Sequence, residues 1–293
     1  MKTPEIDQYR AYLEEKRTAE NTISAYLRDI TQFADYLEGG NQDLLRVGPF
    51  DVNRYIRWMT ANGKAASSAN RSLAAIRSFY RFLIIKGKVR ENPAKNVDSV
   101  RLPRNDPEIL TIQEVDSLLS QPDCTNEKGC RDRAMLELLY ATGIRASELI
   151  SLNLGDVNLT AECICCQSGK RDRVIPIYRK AAMALREYLE DARPCLAPDG
   201  MEVALFVNMG GERMSRQGFW KLIKHYKEKA GIRTEISPRT LRHSFAVHLL
   251  ENGADLQSIQ KMMGHADISS TRAYCHIVQG KLREVYRKSH PRA

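Results

Sequence analysis

Near its C-terminus the chain reads Ser237-Pro238-Arg239-Thr240-Leu241-Arg242-His243-Ser244, then Met263-Gly264-His265, and then Tyr274. Ser237 followed by Pro238 predicts the start of a helix, because serine caps a helix N-terminus and proline fits its first turn. The pattern places Arg242 in that first turn. An arginine, a histidine and a tyrosine in this order can surround one phosphodiester. The stretch therefore indicates phosphoryl transfer to a tyrosine.

Upstream of this stretch lies the one convincing β signal of the chain. Residues 162–166 and 173–177 are rich in β-forming residues and flank a polar turn over 167–172, which predicts a hairpin. Lys170 lies at the tip of this hairpin. Such a lysine can reach into a cleft and protonate a leaving oxygen, although its ordinary role is that of a solvated turn residue.

Helical patterns surround the hairpin and predict a domain over residues 110–293. Predicted helices lie around 134–143, 180–191, 215–230, 237–252, 255–263 and 270–275, after a capping box that starts at Thr111. Gly143 predicts a turn that begins a new helix at Arg145, and helix N-termini are natural phosphate sites. Arg145 and Arg242 are therefore candidate phosphate ligands, although a lone arginine is more often a surface or salt-bridging residue.

The first ninety residues predict a separate helical domain. Apolar residues recur there at helical spacing, which predicts four or five helices. Residues 91–109 lack periodicity and contain several prolines and basic residues, so they predict an extended linker. We expect a mainly α fold in two domains, 1–90 and 110–293, with a small β-hairpin or sheet in the second.

The charge balance favours a polyanionic partner. The chain has 45 Lys and Arg against 36 Asp and Glu, a net charge of +9. Neutralising DNA phosphates releases condensed counterions, so basic proteins gain affinity for double-stranded DNA. On the fourth predicted helix Arg71, Arg77 and Arg81 lie away from the apolar stripe and are candidate DNA-binding residues; an ordinary solvated face is the alternative.

Cysteine and histidine spacing predicts no metal site. Cys163, Cys165 and Cys166 lie too close together for the usual two-pair zinc site, and His243 and His248 are five residues apart rather than four. The seven cysteines are an odd number, and the N-terminus lacks the apolar region of a signal peptide, so we expect a reduced, cytoplasmic protein. No apolar run approaches the about 20 residues that span a membrane.

Together these motifs resemble the tyrosine recombinases, and most closely the Xer branch of that family. The resemblance covers nearly the whole chain. It rests on six motifs in the family's order, namely Asn21-Thr22-Ile23-Ser24-Ala25-Tyr26, Glu91-Asn92-Pro93-Ala94, Ala141-Thr142-Gly143-Ile144-Arg145-Ala146-Ser147-Glu148-Leu149, Leu241-Arg242-His243-Ser244-Phe245-Ala246-Val247-His248-Leu249-Leu250, Gly264-His265 and His290-Pro291-Arg292-Ala293.

The resemblance implies a C-shaped clamp around DNA, with a helical SAM-like core-binding domain and a catalytic domain. In that family, residues at the positions of Arg145 and Arg242 hold the scissile phosphate, and a residue at the position of His265 supports them. Lys170 resembles the general acid. Tyr274 resembles the nucleophile that forms a 3′-phosphotyrosyl bond.

The resemblance also implies partners and the absence of a cofactor. The covalent intermediate conserves bond energy, so neither ATP nor a metal is expected. The expected assembly is a homo- or hetero-tetramer with a related recombinase on DNA, with a DNA translocase as activator. Residues 282–286 resemble the C-terminal segment that family members donate to a neighbouring subunit.

One position departs from the family's pattern. Arg239 stands where the family has a histidine, three residues before Arg242. Arginine keeps its charge and cannot serve as a base, although it can bind a phosphate oxygen. Three interpretations follow: charge stabilisation survives while another group or water acts as base, activity is slowed, or the chain needs a partner subunit. We adopt the first as the working hypothesis.

Several functions fit these residues. Chromosome dimer resolution is favoured over integration or excision of a mobile element, because the chain begins directly with the core-binding helices. A type IB topoisomerase uses similar chemistry but relaxes supercoils. A DNA-binding or architectural protein, or a partner subunit with impaired cleavage, is the alternative outside catalysis.

Overall fold

The computed structural model describes residues 4–101, 107–167, 172–264, 267, 271 and 274. The chain divides into two compact units, Met1–Asn105 and Asp106–Ala293. The fold is mainly α-helical with one small antiparallel sheet, which confirms the predicted fold class. Lys170, His265 and residues 282–286 lie outside the described residues.

The described residues of the first unit form four helices, in line with the four or five that the apolar spacing predicted. They are α1 (Pro4–Glu15), α2 (Glu20–Gly39), α3 (Pro49–Ala61) and α4 (Ala66–Ile85), with a short 3-10 turn at Leu44–Arg46. Aromatic rings pack against one another in their shared core: Phe33 and Tyr55 have ring centroids 4.8 Å apart, and Tyr9 and Phe79 5.2 Å apart. Such buried ring pairs stabilise the packing beyond the area they bury.

Part of the segment predicted as a linker packs against this unit. Ala94 and Val97 are buried in its core. Asn70 on α4 donates to the carbonyl of Val100 at 2.8 Å and accepts from its N–H at 2.7 Å. Residues 92–100 are therefore held to α4 by side-chain hydrogen bonds, which helical periodicity does not detect.

The second unit contains eight helices among its described residues. They are α5 (Ile112–Leu119), α6 (Glu127–Thr142), α7 (Ala146–Ser151), α8 (Arg179–Glu187), α9 (Arg193–Leu196), α10 (Arg216–Lys229), α11 (Pro238–Glu251) and α12 (Leu256–Met263). The predicted caps are present, since Thr111, Ser215, Ser237 and Asp255 each accept a hydrogen bond from the first turn of their helix. The helix predicted over 180–191 is instead α8 and α9 joined by a π turn at Tyr188–Ala192.

The predicted hairpin is present and a third strand extends it. β1 (Val157–Asn158), β2 (Cys163–Cys166) and β3 (Arg173–Pro176) form an antiparallel sheet in that order. Ile164 faces Ile175 across the hairpin, and both are buried against the helices. The register places Arg173 opposite Cys166, at the end of β3 that leads from the turn.

Helix α6 lies at the centre of the second unit and is buried along nearly its whole length. Asn126 caps its start, and Gly143 ends it with a φ of +58°. That conformation suits glycine, because residues with a Cβ disfavour a positive φ. A Cβ at this position would also collide with the ring of Phe245. Gly143 thus directs the chain into α7 and positions Arg145.

Among the residues that the structure describes, no helix combines the length and apolar character needed to cross a membrane.

Candidate active site

Arg145 occupies the N-cap position of α7 and lines an open cavity of about 720 Å³. Its Nη1 donates to Oε1 of Glu148 at 3.0 Å, and its Nη2 donates to the carbonyl of Gly264 at 3.2 Å. Its backbone N–H also donates to Glu148, at 2.7 Å. The guanidinium is therefore held by two elements while its side chain stays 44% exposed to solvent.

Glu148 is shared between two arginines. Arg173 on β3 donates to both of its carboxylate oxygens, at 3.1 and 2.9 Å. Burial raises the pKa of Glu148, but the hydrogen bonds from Arg173 and from the Arg145 backbone outweigh burial, so the net pKa is lowered. The carboxylate is thus ionised at neutral pH and fixes both arginines relative to α7.

Arg242 lies on α11 and is buried. Because α11 begins at Pro238, Arg242 is its fifth residue and lies in the second turn, so the prediction of the first turn was wrong. Its Nη1 donates to the carbonyl of Gly143 at 2.6 Å and its Nη2 to that of Met263 at 2.7 Å. Burial and the charge of Arg145 lower its pKa to about 10, which keeps it protonated at neutral pH.

Four arginines share a cavity with Tyr274. Arg145, Arg216, Arg239 and Arg242 line it together with Tyr274. Burial raises the pKa of Tyr274, and the charges of Arg242 and Arg239 oppose that rise. Several guanidinium groups around one hydroxyl can bind the oxygens of a phosphodiester and stabilise the negative charge that grows as a nucleophile attacks it.

Tyr274 is anchored from two directions. Its ring packs in an apolar cluster with Phe245, Ile259 and Met263, and it is only 3% exposed. Its hydroxyl lies 2.8 Å from Nδ1 of His243. Burial, then the charges of Arg239 and Arg242, lower the pKa of His243 to about 4, so the imidazole is neutral at physiological pH.

The structure brings together Tyr274, Arg145, Arg242 and Arg239, which sequence reasoning selected. Three further cavity or network residues were missed, namely His243, Arg173 and Arg216. His243 follows Arg242 directly, but sequence spacing gives no sign that it meets a residue 31 positions away. The two other residues selected for catalysis, Lys170 and His265, lie outside the described part of the chain.

Three side chains in the described residues have the spacing of a metal site. The ligand atoms of Cys124, Cys130 and Glu187 lie within 4.8 Å of one another. However, Nη1 of Arg133 lies 3.4 Å from the Cys124 sulfur, and burial raises the pKa of Cys130 to about 12. A neighbouring cation and a protonated thiol both oppose binding of a metal ion.

The arginines of α4 differ in their surroundings. Arg71 forms a bidentate pair with Asp29, at 2.8 and 3.0 Å. Arg77 donates to the carbonyls of Ala94 and Val97. Arg81 is exposed. These placements give Arg77 a role in holding residues 94–97, and they leave Arg81 most open to an outside ligand.

Two family models match the chain. The phage integrase family matches residues 108–280, and the N-terminal SAM-like domain of phage integrases matches residues 6–87. The tyrosine recombinase XerD of Listeria monocytogenes is 40% identical over 283 residues, which is 95% of each chain.

Solved structures of recombinases share the fold. The XerA recombinase is 28% identical with a TM-score of 0.55, covering 99% of this chain and 100% of that one. The XerH site-specific recombinase, bound to a palindromic difH substrate in a post-cleavage complex, has a TM-score of 0.77 at 20% identity, covering 94% of this chain and 83% of that one.

Proposed function

The chain belongs to the phage integrase family, and we propose that it is a site-specific recombinase that cuts and rejoins DNA through a 3′-phosphotyrosyl bond at Tyr274. The observation that carries this proposal is the position of the Tyr274 hydroxyl in a cavity lined by four arginines. Around a phosphodiester this arrangement supplies both a nucleophile and fixed positive charge.

The proposed cleavage step needs no cofactor, because one bond to phosphorus forms as another breaks. The oxygen of Tyr274 attacks the phosphorus, and the bond from phosphorus to the 5′ oxygen breaks. Arg145 and Arg242 bind the non-bridging oxygens, whose charge rises in the transition state. Lys170 is proposed to protonate the departing 5′ oxygen, and His265 to support the phosphate; both roles rest on the family resemblance. The 5′-hydroxyl of a partner strand then attacks the phosphorus, its proton passes back to Lys170 in the reverse of the cleavage step, and the bond to Tyr274 breaks.

The Xer-like relatives support a more specific role. We propose that the protein resolves chromosome dimers, because the XerD relative matches 95% of this chain. Its proposed substrate is double-stranded DNA, bound by a homo- or hetero-tetramer and activated by a DNA translocase, in the cytoplasm. Arg71 and Arg81 on α4 are proposed DNA contacts of the first unit. Arg77 is also a proposed DNA contact, although its guanidinium donates hydrogen bonds within that unit.

Trapping of covalent adducts tests the proposal. The purified protein is incubated with sheared DNA from its own source and denatured with SDS, and the ends of protein-linked fragments are sequenced. We expect adducts at one recurrent site that disappear in Tyr274→Phe. Tyr12→Phe, the same change on α1 of the helical unit, is the matched control and should form them normally.

Other outcomes would favour the alternatives. Relaxation of a plasmid at random sequences by the protein alone would favour a topoisomerase. Specific binding without adducts would favour a partner subunit with impaired cleavage, an alternative that the arginine at position 239 specifically motivates. Unchanged function in cells that carry Tyr274→Phe would contradict recombination altogether.

A further inference from the structure

The cleavage step needs a group that takes the proton of Tyr274. A phenol is a weak nucleophile until its proton is transferred, and burial makes this phenol weaker by raising its pKa. Arg239 cannot accept a proton, because a guanidinium remains charged in proteins. Arg145, Arg216 and Arg242, which line the same cavity, have the same limitation.

His243 has the geometry of a proton acceptor. Its Nδ1 lies 2.8 Å from the Tyr274 hydroxyl oxygen, within the range of a direct proton transfer. The centroids of the two rings are 5.5 Å apart and the ring planes are tilted by 54°, so the rings also lie against each other. When Nε2 carries the imidazole proton, Nδ1 accepts the hydrogen bond from the hydroxyl.

Burial and the surrounding charges set the protonation state of His243. Arg239 and Arg242 face it from its own helix, Tyr274 from the C-terminal segment, and Arg145 and Arg216 line the same cavity from α7 and α10. Burial is the largest cause of the neutral imidazole before DNA binds, and the charges of Arg239 and Arg242 add to it. A phosphodiester then brings negative charge among them, which makes the imidazole more basic when the phenol must lose its proton.

We propose that His243 is the proton acceptor for Tyr274, in the place of the histidine that Arg239 replaces. This inference rests on the proposed function. During cleavage the phenolic proton moves to Nδ1 as the bond from the Tyr274 oxygen to phosphorus forms. The imidazolium returns that proton to Tyr274 when a 5′-hydroxyl releases the DNA.

The first test compares cleavage rates of nicked duplex substrates that contain the site recovered from the adducts. His243→Gln keeps a hydrogen-bond acceptor but cannot take a proton, so we expect cleavage to fall about 10²- to 10⁴-fold while gel-shift affinity stays unchanged. His243→Ala should fall at least as far and regain activity with added imidazole. His225→Gln on α10, an exposed histidine, is the matched control and should cleave normally.

A second test shows whether His243 accepts the proton of the nucleophile or instead helps to protonate the leaving group. A 5′-bridging phosphorothiolate substrate has a leaving sulfur that needs no protonation. We expect it to restore cleavage by Lys170→Ala but to leave the defect of His243→Gln unchanged. Restoration of His243→Gln by sulfur would overturn the proposal.

The outcomes separate this inference from the proposed function. If the wild-type protein forms Tyr274 adducts and His243→Gln forms them at the same rate, only the role of His243 is overturned. If Arg239→His restores cleavage to His243→Gln, a histidine at position 239 can take over the role, as the proposal expects. If the wild-type protein forms no adduct, the proposed function fails and this inference fails with it.

Discussion

Arg173 on β3 donates hydrogen bonds to both carboxylate oxygens of Glu148 on α7, at 3.1 and 2.9 Å. The Glu148 carboxylate also accepts a hydrogen bond from Nη1 of Arg145. A buried carboxylate therefore links the hairpin strand to the arginine that faces the cavity. Both side chains of the Arg173–Glu148 pair are about nine-tenths buried, with 12% and 10% exposed. Removing either one would therefore leave the other charge buried without this partner.

Glu148→Gln should disturb both arginines. Glutamine retains the shape of the side chain but leaves the buried Arg173 charge without a counter-charge, so we expect the free energy of unfolding to fall by about 3 kcal/mol. Cleavage should fall more than DNA affinity, since Arg145 loses its anchor. Denaturant unfolding and adduct formation measure the two effects. Glu235→Gln removes the exposed partner of Lys227 and should change neither.

Gly143→Ala should strain the turn between α6 and α7. The φ of +58° disfavours a Cβ, and that Cβ would meet the ring of Phe245. We expect a loss of about 2 to 4 kcal/mol in the free energy of unfolding, together with weaker cleavage, because the Gly143 carbonyl anchors Arg242. Gly155→Ala is the control, since no atom lies within 4 Å of its added Cβ. Equal stability of the two variants would contradict this account.

Local signals predicted most of the fold. Apolar spacing found the helices of the first unit, and Ser237 and Thr111 marked helix starts through caps that depend only on neighbouring residues. The packing of residues 92–100 on α4 was missed, because the bonds of Asn70 and Arg77 to that segment join residues far apart in sequence.

Only part of the site was predicted, because its other contacts also join residues far apart in sequence. Tyr274, Arg145 and Arg242 carry recognisable motifs, whereas Arg173 and Arg216 lie in segments without one. His243 lies within one of these motifs, but its contact with Tyr274 depends on the ring of Tyr274 packing against α11. Such contacts arise from tertiary packing, which the order of residues along one helix does not specify.

Arg77→Ala and Arg81→Ala should separate folding from DNA binding. Removing the Arg77 guanidinium leaves the carbonyls of Ala94 and Val97 without that donor, so we expect a loss of about 1 to 3 kcal/mol in stability. Arg81 is exposed, and its loss should weaken DNA binding at all sequences. The slope of log affinity against log salt should then fall by about 1. A stable Arg77→Ala that binds DNA weakly would reverse this assignment.

The histidine beside Tyr274 should make stability depend on pH. Burial and the charges of Arg239 and Arg242 lower the pKa of His243 to about 4, against about 6.5 in an unfolded chain. Between these values the unfolded chain binds a proton that the folded chain does not. The stability from a neutral His243 is therefore present above pH about 6.5 and is lost as the pH falls towards 4.

We therefore expect the unfolding free energy of the wild-type protein, minus that of His243→Gln, to decrease as the pH is lowered from about 7 to about 4.5. Denaturant unfolding of the full chain across this range measures the difference, and the titrations of shared groups cancel in it. His225→Gln, a substitution at an exposed position outside the cavity, is the control for the loss of a histidine. A flat difference for His243→Gln would mean that His243 titrates in the folded protein as it does in the unfolded chain, which its burial beside two arginines opposes.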